Sequence, residues 1–341
     1  MSLKLREKSI LQSVIHEFIM TANPIGSKTL AEKSSTGLAP ASIRKIMANL
    51  EEEGYLAHPH TSAGRIPTTK GYRFYVDEII NQQQISNNQK NLIQDTLENF
   101  NGDVDHLMDE VAGILAAISR QLSIVVTPKF YHAIFENMQI VPLASDKWLV
   151  IMTVSSGQVK TILLEVKQKI KKESIKRVLV KINQRFCGKT LFEIRKTFAV
   201  VMEDFYNEET GLIRLFTENA DRLFDFSRYE NYSVDGTRNI INQPEFSDIS
   251  RFSSLIEMIE DKDIIIHFMG KREDPPGIKI TIGHEHDEEQ IKDCSVITST
   301  YRVGNVSGVV GVIGPTRMAY GKVIPLVDYF ALAITQKLNF A

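Results

Sequence analysis

Apolar residues near the start of the chain recur at three- and four-residue spacings. Leu5, Ile10, Leu11, Val14, Ile15, Phe18 and Ile19 follow this period, which predicts an amphipathic helix with one buried stripe. Asn23-Pro24 ends it, because the residue before a proline avoids the α region. Ser27 suits the N-cap of a short helix, "KTLAEKS", and Gly37 predicts a turn. Pro40 opens a third helix, "ASIRKIMANLEEEG", at a position where its missing N–H costs nothing, and Gly54 suits its close. Ile43, Ile46, Met47 and Leu50 share the inward face of that helix. Ala41, Lys45, Ala48 and Glu52 lie opposite, with Ser42, Arg44 and Asn49 on the flanks.

The pattern then changes. "YLAH" and "RIPTT" read as two paired strands with "HTSAG" as the tip between them, and Gly64 permits a backbone that places Arg65 at that tip. "GYRFYVDEII" predicts a helix that packs back through Tyr72, Tyr75, Val76 and Ile79. A helix, a short helix, a tight turn and a helix with a small, basic N-terminal half make a helix-turn-helix, and the hairpin adds a wing. On this reading Ala41 and Ser42 allow close approach to a groove, while Arg44, Lys45 and Asn49 reach base edges or phosphates. His60, Thr61, Ser62 and Arg65 offer donors to phosphate from the wing, and Lys70 and Arg73 complete the DNA-binding set. The competing reading is an ordinary three-helix bundle with a solvated face.

Beyond residue 80 the polar run "NQQQISNNQKN" predicts a linker. A helix over 103–126 follows, with Asp103 as its cap and Leu107, Val111, Ile114, Leu115, Ile118 and Leu122 on its apolar face. "AIFENMQIVPL", "KWLVIMTV" and "VKTILLEV" are separated by short turns and suit an antiparallel meander. Helices are expected around 172–186, 190–205 and 210–228. The helix "SSLIEMIE" then leads to strands "DIIIHFM", "GIKITIG", "CSVITSTYRV" and "SGVVGVIGP", and a helix from Tyr320 closes the chain.

Charge modifies this picture. Residues 1–75 hold ten Lys and Arg against six Glu, or +4, so the remainder carries −6 of the net −2. A basic N-terminal part on an acidic remainder suits a polyanion partner for the former. Cys187 and Cys294 are the only cysteines and lie far apart, which suggests no disulfide framework. No apolar run reaches the ~18 residues of a membrane span, and polar residues interrupt any apolar core of a leader peptide, so a cytoplasmic protein without a membrane partner is expected. "GHEHDEE" places His284, Glu285 and His286 together without a clear third metal ligand and reads as a solvated loop at a strand end. The glycines of "VGNVSGVVGVIGP" lack the spacing of a dinucleotide-binding loop. No P-loop, paired-acid motif or Ser/His/Asp arrangement stands out, so neither an enzyme nor a cofactor is expected.

"PIGSKTLAEK", "SIRKIMANLEEEGYLAHPHTSAGRIPTTKGYRFYVD" and "IGPTRMAYGKVIPLVDYF" resemble the HrcA family of bacterial heat-inducible transcription repressors, and the resemblance extends over essentially the whole chain. It implies an α+β protein with a winged helix-turn-helix over 1–80, a linker over 81–102, a GAF-like α/β domain over 103–130 and 230–341, and an inserted dimerisation domain over 131–229. It also implies a homodimer on an inverted-repeat operator in double-stranded DNA. Such a protein represses chaperone operons, loses activity on heating and has a GroE-type chaperonin as partner. A ligand-sensing GAF-type regulator is the alternative. The chain departs from the family at the third helix. Ala39 replaces a hydroxyl residue, Lys45 an asparagine and Ile46 an acid, so the exact operator sequence does not carry over.

Overall fold

The structure is a computed structural model of the 341-residue chain. It describes residues 3–33, 37–59, 64–81, 83–98, 104–128, 130–144, 146–155, 157, 159–166, 172–205, 211–224, 231–247, 249–273 and 275–340. Helices and strands are mixed, an α+β architecture, and the chain forms two compact units. The first unit comprises Met1–Val125, Tyr232–Thr300 and Val309–Ala333. The second comprises Val126–Asn231, Tyr301–Gly308 and Ile334–Ala341.

The first unit opens with α1 (Leu5–Thr21), α2 (Ser27–Lys33) and α3 (Pro40–Glu52). The apolar stripe of α1 buries Ile10, Leu11, Val14 and Ile15, whereas Leu5, one turn too early, is 87% exposed. Leu30 of α2 and Ile43, Met47 and Leu50 of α3 complete this core. Ile46 is only half-buried, because it sits at the edge of the inward stripe. Ser27 is the first helical residue of α2 rather than its cap. Gly54 has φ +78° and turns the chain into β1 (Leu56–Ala57), which pairs antiparallel with β2 (Ile66–Pro67). Thr68 caps α4 (Thr69–Phe74) by accepting the Gly71 N–H at 3.1 Å, and a wider π-type turn over Tyr75–Ile79 follows.

Gly64 is required for space, not for a positive φ. A Cβ there would lie 2.4 Å from the carbonyl carbon of Ile25. That close approach lets Ile25 and Arg65 exchange two backbone hydrogen bonds of 2.9 Å. Arg65 therefore lies at the base of the hairpin, where the sequence placed it at the tip.

The polar segment expected as a linker is helical over α5 (Asn87–Glu98), with Ile93 and Leu97 buried against α6 (Val104–Ser119). The helix expected over 103–126 stops early. Arg120 adopts a left-handed backbone, φ 55°, and β3 (Leu122–Val126) begins two residues later with every residue buried. Asp103, its expected cap, lies outside the described residues.

In the second unit β4 (Phe135–Pro142), β5 (Lys147–Val154) and β6 (Val159–Glu165) form the expected antiparallel meander. One face, with Trp148, Val150, Met152, Ile162 and Leu164, is buried. The helices of this unit are α7 (Lys172–Phe186), α8 (Leu191–Val201), α9 (Leu212–Glu218) and α10 (Ala220–Phe224). Phe186 of α7 and Phe198 of α8 stack with centroids 5.1 Å apart. The Asn183 side chain bonds both the N–H and the C=O of Met138, which satisfies an edge of β4.

The chain then returns to the first unit with β7 (Tyr232–Asp235), α11 (Thr237–Ile241), α12 (Ile249–Glu260), α13 (Lys262–Gly270) and β8 (Lys279–Ile282). It ends with β9 (Cys294–Val303), β10 (Val306–Pro315) and α14 (Tyr320–Phe340). The sheet order is β7-β3-β10-β9-β8. Helices cover both sides of it. Tyr320 and Asp328 of α14 bond Ser295 and Ser299 of β9, while Arg272, just after α13, bonds Thr298. Burial on both faces explains why β3 and β10 read as continuous apolar runs.

"DIIIHFM", expected as a strand, is α13. The Asp261 carboxylate accepts the N–H groups of Asp263 and Ile264 at 3.0 Å, and Ile265, Phe268 and Met269 are buried at helical spacing. The cap outweighs the strand preference of three consecutive isoleucines.

Gly64→Ala should force Ile25 away and break the Ile25–Arg65 bridge. The expected loss is about 1–3 kcal/mol of stability in the N-terminal bundle, read by chemical denaturation of the full chain. An unchanged midpoint would mean that the hairpin is not pinned there.

Candidate nucleic-acid interface

The candidate interface centres on α3. Pro40 supplies its first residue and Ala39 makes no side-chain cap bond. Ile43, Met47 and Leu50 hold the helix against the bundle, and α1 packs directly on it. On the outward side Ala41, Ser42, Arg44, Lys45 and Asn49 are all exposed. Ala41, Lys45 and Asn49, spaced by four, form one stripe with Ser42 and Arg44 beside it. The helix is polarised. Its first turn has no acid and its C-terminal end carries Glu51, Glu52 and Glu53, so a polyanion is attracted to the N-terminal half.

The other residues expected to contact DNA have intramolecular partners or lie outside the described residues. His60, Thr61 and Ser62 are in the second group. Arg65 Nε lies 2.8 Å from Glu51 Oε2, and His58 Nδ1 lies 2.7 Å from Glu51 Oε1, so the hairpin base is tied to the end of α3. Lys70 Nζ donates to the Glu53 carbonyl at 2.6 Å and sits 4.4 Å above the Tyr55 ring. Arg73 faces the sheet part of the same unit. Its Nε donates to Glu285 Oε1 at 2.8 Å, its Nη2 to the Ile280 carbonyl at 2.8 Å, and its Nη1 reaches Asp77 at 3.3 Å.

Contacts beside Arg73 tie the bundle to the sheet part. The Tyr72 and Tyr320 rings lie 5.9 Å apart, both fully buried. Arg317 donates to the Ile19 carbonyl at the end of α1 (3.2 Å), to Gln243 Oε1 (2.6 Å) and to Glu245 Oε1. Burial pushes the Tyr72 hydroxyl well above its ordinary pKa, and that hydroxyl has no hydrogen-bond partner among the described residues. Burial raises the Glu285 carboxyl, but the Arg73 and Ile282 N–H donors and the Arg73 charge outweigh it, so Glu285 stays below the usual carboxylate range.

Glu245, Glu285, Arg317 and Tyr320 had no assigned role in the sequence. Their partners are remote in the chain, and no local period marks them.

"GHEHDEE" follows β8 with His284, Glu285, Asp287 and Glu289 exposed, as expected of a solvated segment at a strand end, but it also makes two specific contacts. A short 3-10 turn over Gly283–Glu285 presents Glu285 to Arg73, and His286 is 5% exposed against Phe268. Burial, followed by the nearby Arg272 charge, lowers the His286 pKa to about 4. Among the described residues no group of three or more His, Cys, Asp or Glu is placed to hold a metal ion.

Comparison with known proteins places the chain in a class. A family model described as "HrcA protein C terminal domain" matches residues 105–324. The chain is 38% identical to the "Heat-inducible transcription repressor HrcA" of Chlorobaculum tepidum over 349 residues, spanning 99% of this chain and 98% of the relative. It is 36% identical to the protein of the same name from Chlorobium phaeobacteroides (strain BS1), spanning 98% of each. A crystal structure of a hypothetical protein shares the fold, with a TM-score of 0.61 at 20% identity over 99% of both chains. These likenesses define a bacterial transcription-regulator class. The chain belongs to the HrcA family.

The low His286 pKa has a stability consequence. The native state holds the ring neutral, so its contribution is complete above the unfolded value of about 6.5 and is lost as pH falls through about 4. Arg272, Glu285 and Glu288 are its charged neighbours. His286→Gln should remove on the order of 3 kcal/mol of the pH dependence between pH 6.5 and 4, measured by urea denaturation across that range. An equally steep profile in the variant would show that His286 does not titrate on unfolding.

Proposed function

We propose that the protein is a negative regulator of heat-shock transcription that binds double-stranded operator DNA through α3. Full-length identity to relatives named as heat-inducible repressors supports the regulatory role, and the exposed Ala41–Lys45–Asn49 stripe carries the DNA-binding reading. On this reading α1 to α4 with the β1–β2 hairpin are a winged helix-turn-helix, α3 is the recognition helix, and the five-stranded sheet with its flanking helices is a GAF-like domain. Arg44, Lys45 and Asn49 address base edges or phosphates, while Ala41 and Ser42 allow the helix into the groove. The activity is binding rather than catalysis, and the protein acts in the cytoplasm. The chaperonin partner rests on the family resemblance.

An inverted repeat presents two equivalent half-sites, which one recognition helix per chain fills only in a two-fold dimer. The second unit offers a surface for that contact. The outer face of its meander carries Val141, Leu149, Ile151, Val159 and Leu163, and the register sets Leu149 between Val141 and Leu163. Val159 is 54% exposed and Leu163 42%. Burial of such a face against a second copy is favourable at roughly 25 cal/mol per Å2 of apolar surface.

Footprinting of the pure protein upstream of chaperone genes tests the reading directly. Arg44→Ala should weaken operator binding and lower the slope of log affinity against log salt by about 1 if it touches one phosphate. Lys45→Asn should reorder affinities across a panel of half-site variants without changing stability. The same rank order in both proteins would place Lys45 outside direct readout.

Leu163→Asp should yield a folded monomer in light scattering, with operator affinity falling at least about tenfold as linkage between half-sites is lost. A dimer that survives this change would move the two-fold contact elsewhere.

A further inference from the structure

The first unit contains a cleft of about 780 Å3, within the range of roughly 300–1,000 Å3 typical of small-molecule sites. Four structural ends meet there: the last turn of α1, the segment leading into α5, the end of α6 and the beginning of α14. Three cationic residues, Arg120, Arg317 and Lys322, line it, and none of the described residues in its wall is acidic. Glutamines 83, 84, 89, 121 and 243 supply amide donors and acceptors.

The cations have different roles. Arg317 is held by Glu245, Gln243 and the Ile19 carbonyl. Arg120 and Lys322 are exposed, and neither pairs with a carboxylate among the described residues. Arg120 is held at the cleft by its left-handed backbone at the end of α6, φ 55°. Lys322 stands in the first turn of α14, a 21-residue helix whose N-terminal dipole adds to the positive field. Two uncompensated cations and a long helix N-terminus in a concave, amide-rich wall attract an anion of more than one charge.

We propose that this cleft binds a small anion carrying two or more negative charges on phosphate or carboxylate groups, with Arg120 and Lys322 as its principal contacts. Binding there is independent of the DNA-binding role. Only its consequence rests on that role: Arg317 runs from the cleft wall to the end of α1, and α1 supports α3, so an occupant would bias how α3 is presented.

The test uses the full chain without DNA. Pyrophosphate and citrate serve as separate calorimetric probes, with sodium chloride at matched ionic strength as control. At least one should bind saturably, one per chain, and raise the melting temperature beyond the salt control. A phosphate-selective site responds to pyrophosphate alone and a carboxylate-selective site to citrate alone, and either supports the proposal.

Arg120→Gln with Lys322→Gln should weaken binding by about a hundredfold, since each charge-assisted contact is worth about a factor of ten. Arg120→Lys should retain it. Arg44→Gln with Lys45→Gln, which removes the α3 cations, should leave probe binding unchanged. The proposal is overturned by no saturable binding of either probe. It is also overturned if the cleft double variant binds as the parent does, or if only the α3 variant loses binding. Because the readout is ligand binding alone, a failed operator footprint leaves this result standing, and the reverse also holds.

Discussion

Arg317 imposes the constraint on which the presentation of α3 depends. Its guanidinium donates to three acceptors at once: the Ile19 carbonyl at the end of α1, Gln243 Oε1 and Glu245 Oε1. The last carbonyls of a helix have no partner within it, so an arginine aimed at one of them both satisfies the helix end and fixes where it lies. α1 is in turn the platform on which α3 packs. The outward stripe of α3 is thus oriented through a side chain that lies 298 residues from the α1 carbonyl it binds.

Arg73 adds a second tie with a different consequence. Its fork is occupied by Glu285 and the Ile280 carbonyl, with Asp77 on the remaining side. A carboxylate uses the same donors that a phosphate would use. In this conformation Arg73 serves the contact between bundle and sheet, whereas Arg44 and Lys45 on the N-terminal half of α3 are exposed. Glu51 has a parallel effect on Arg65, and the Glu53 carbonyl on Lys70. The acids that close α3 hold the neighbouring cations and leave Arg44 and Lys45 exposed.

Local periods made much of the fold legible in the sequence. The stripes of α1 and α3, the Gly54 turn, the short hairpin, the β4–β6 meander and α14 all follow from spacing within ten or fifteen residues. Failures arose where a single residue overrode a run. Asp261 turned three isoleucines into a helix, and Arg120 stopped a helix whose apolar pattern continued into β3. The exposed face of α3 was readable because helix geometry alone decides it once the inward residues are known. The environments of Arg73 and Arg317 were not, since their partners lie 212 and 298 residues away. A basic residue next to a hairpin reads as a phosphate contact until the carboxylate that meets it is seen.

The contact made by these two arginines is balanced differently from the cores it joins. The bundle core of Ile10, Leu11, Ile15, Ile43 and Leu50 is dry and loses apolar burial at every step of opening. The bundle-to-sheet contact is held largely by charge-assisted hydrogen bonds, each worth about 1.5–3 kcal/mol net. Against them stands the Tyr72 hydroxyl, buried against Tyr320 with no hydrogen-bond partner among the described residues, which costs about 1–3 kcal/mol while the contact is closed and is relieved by water once it opens. Opening the contact leaves the bundle core intact, so it requires less free energy than unfolding the unit. The polarity of the contact, rather than the strength of either core, sets how firmly α3 is held in place.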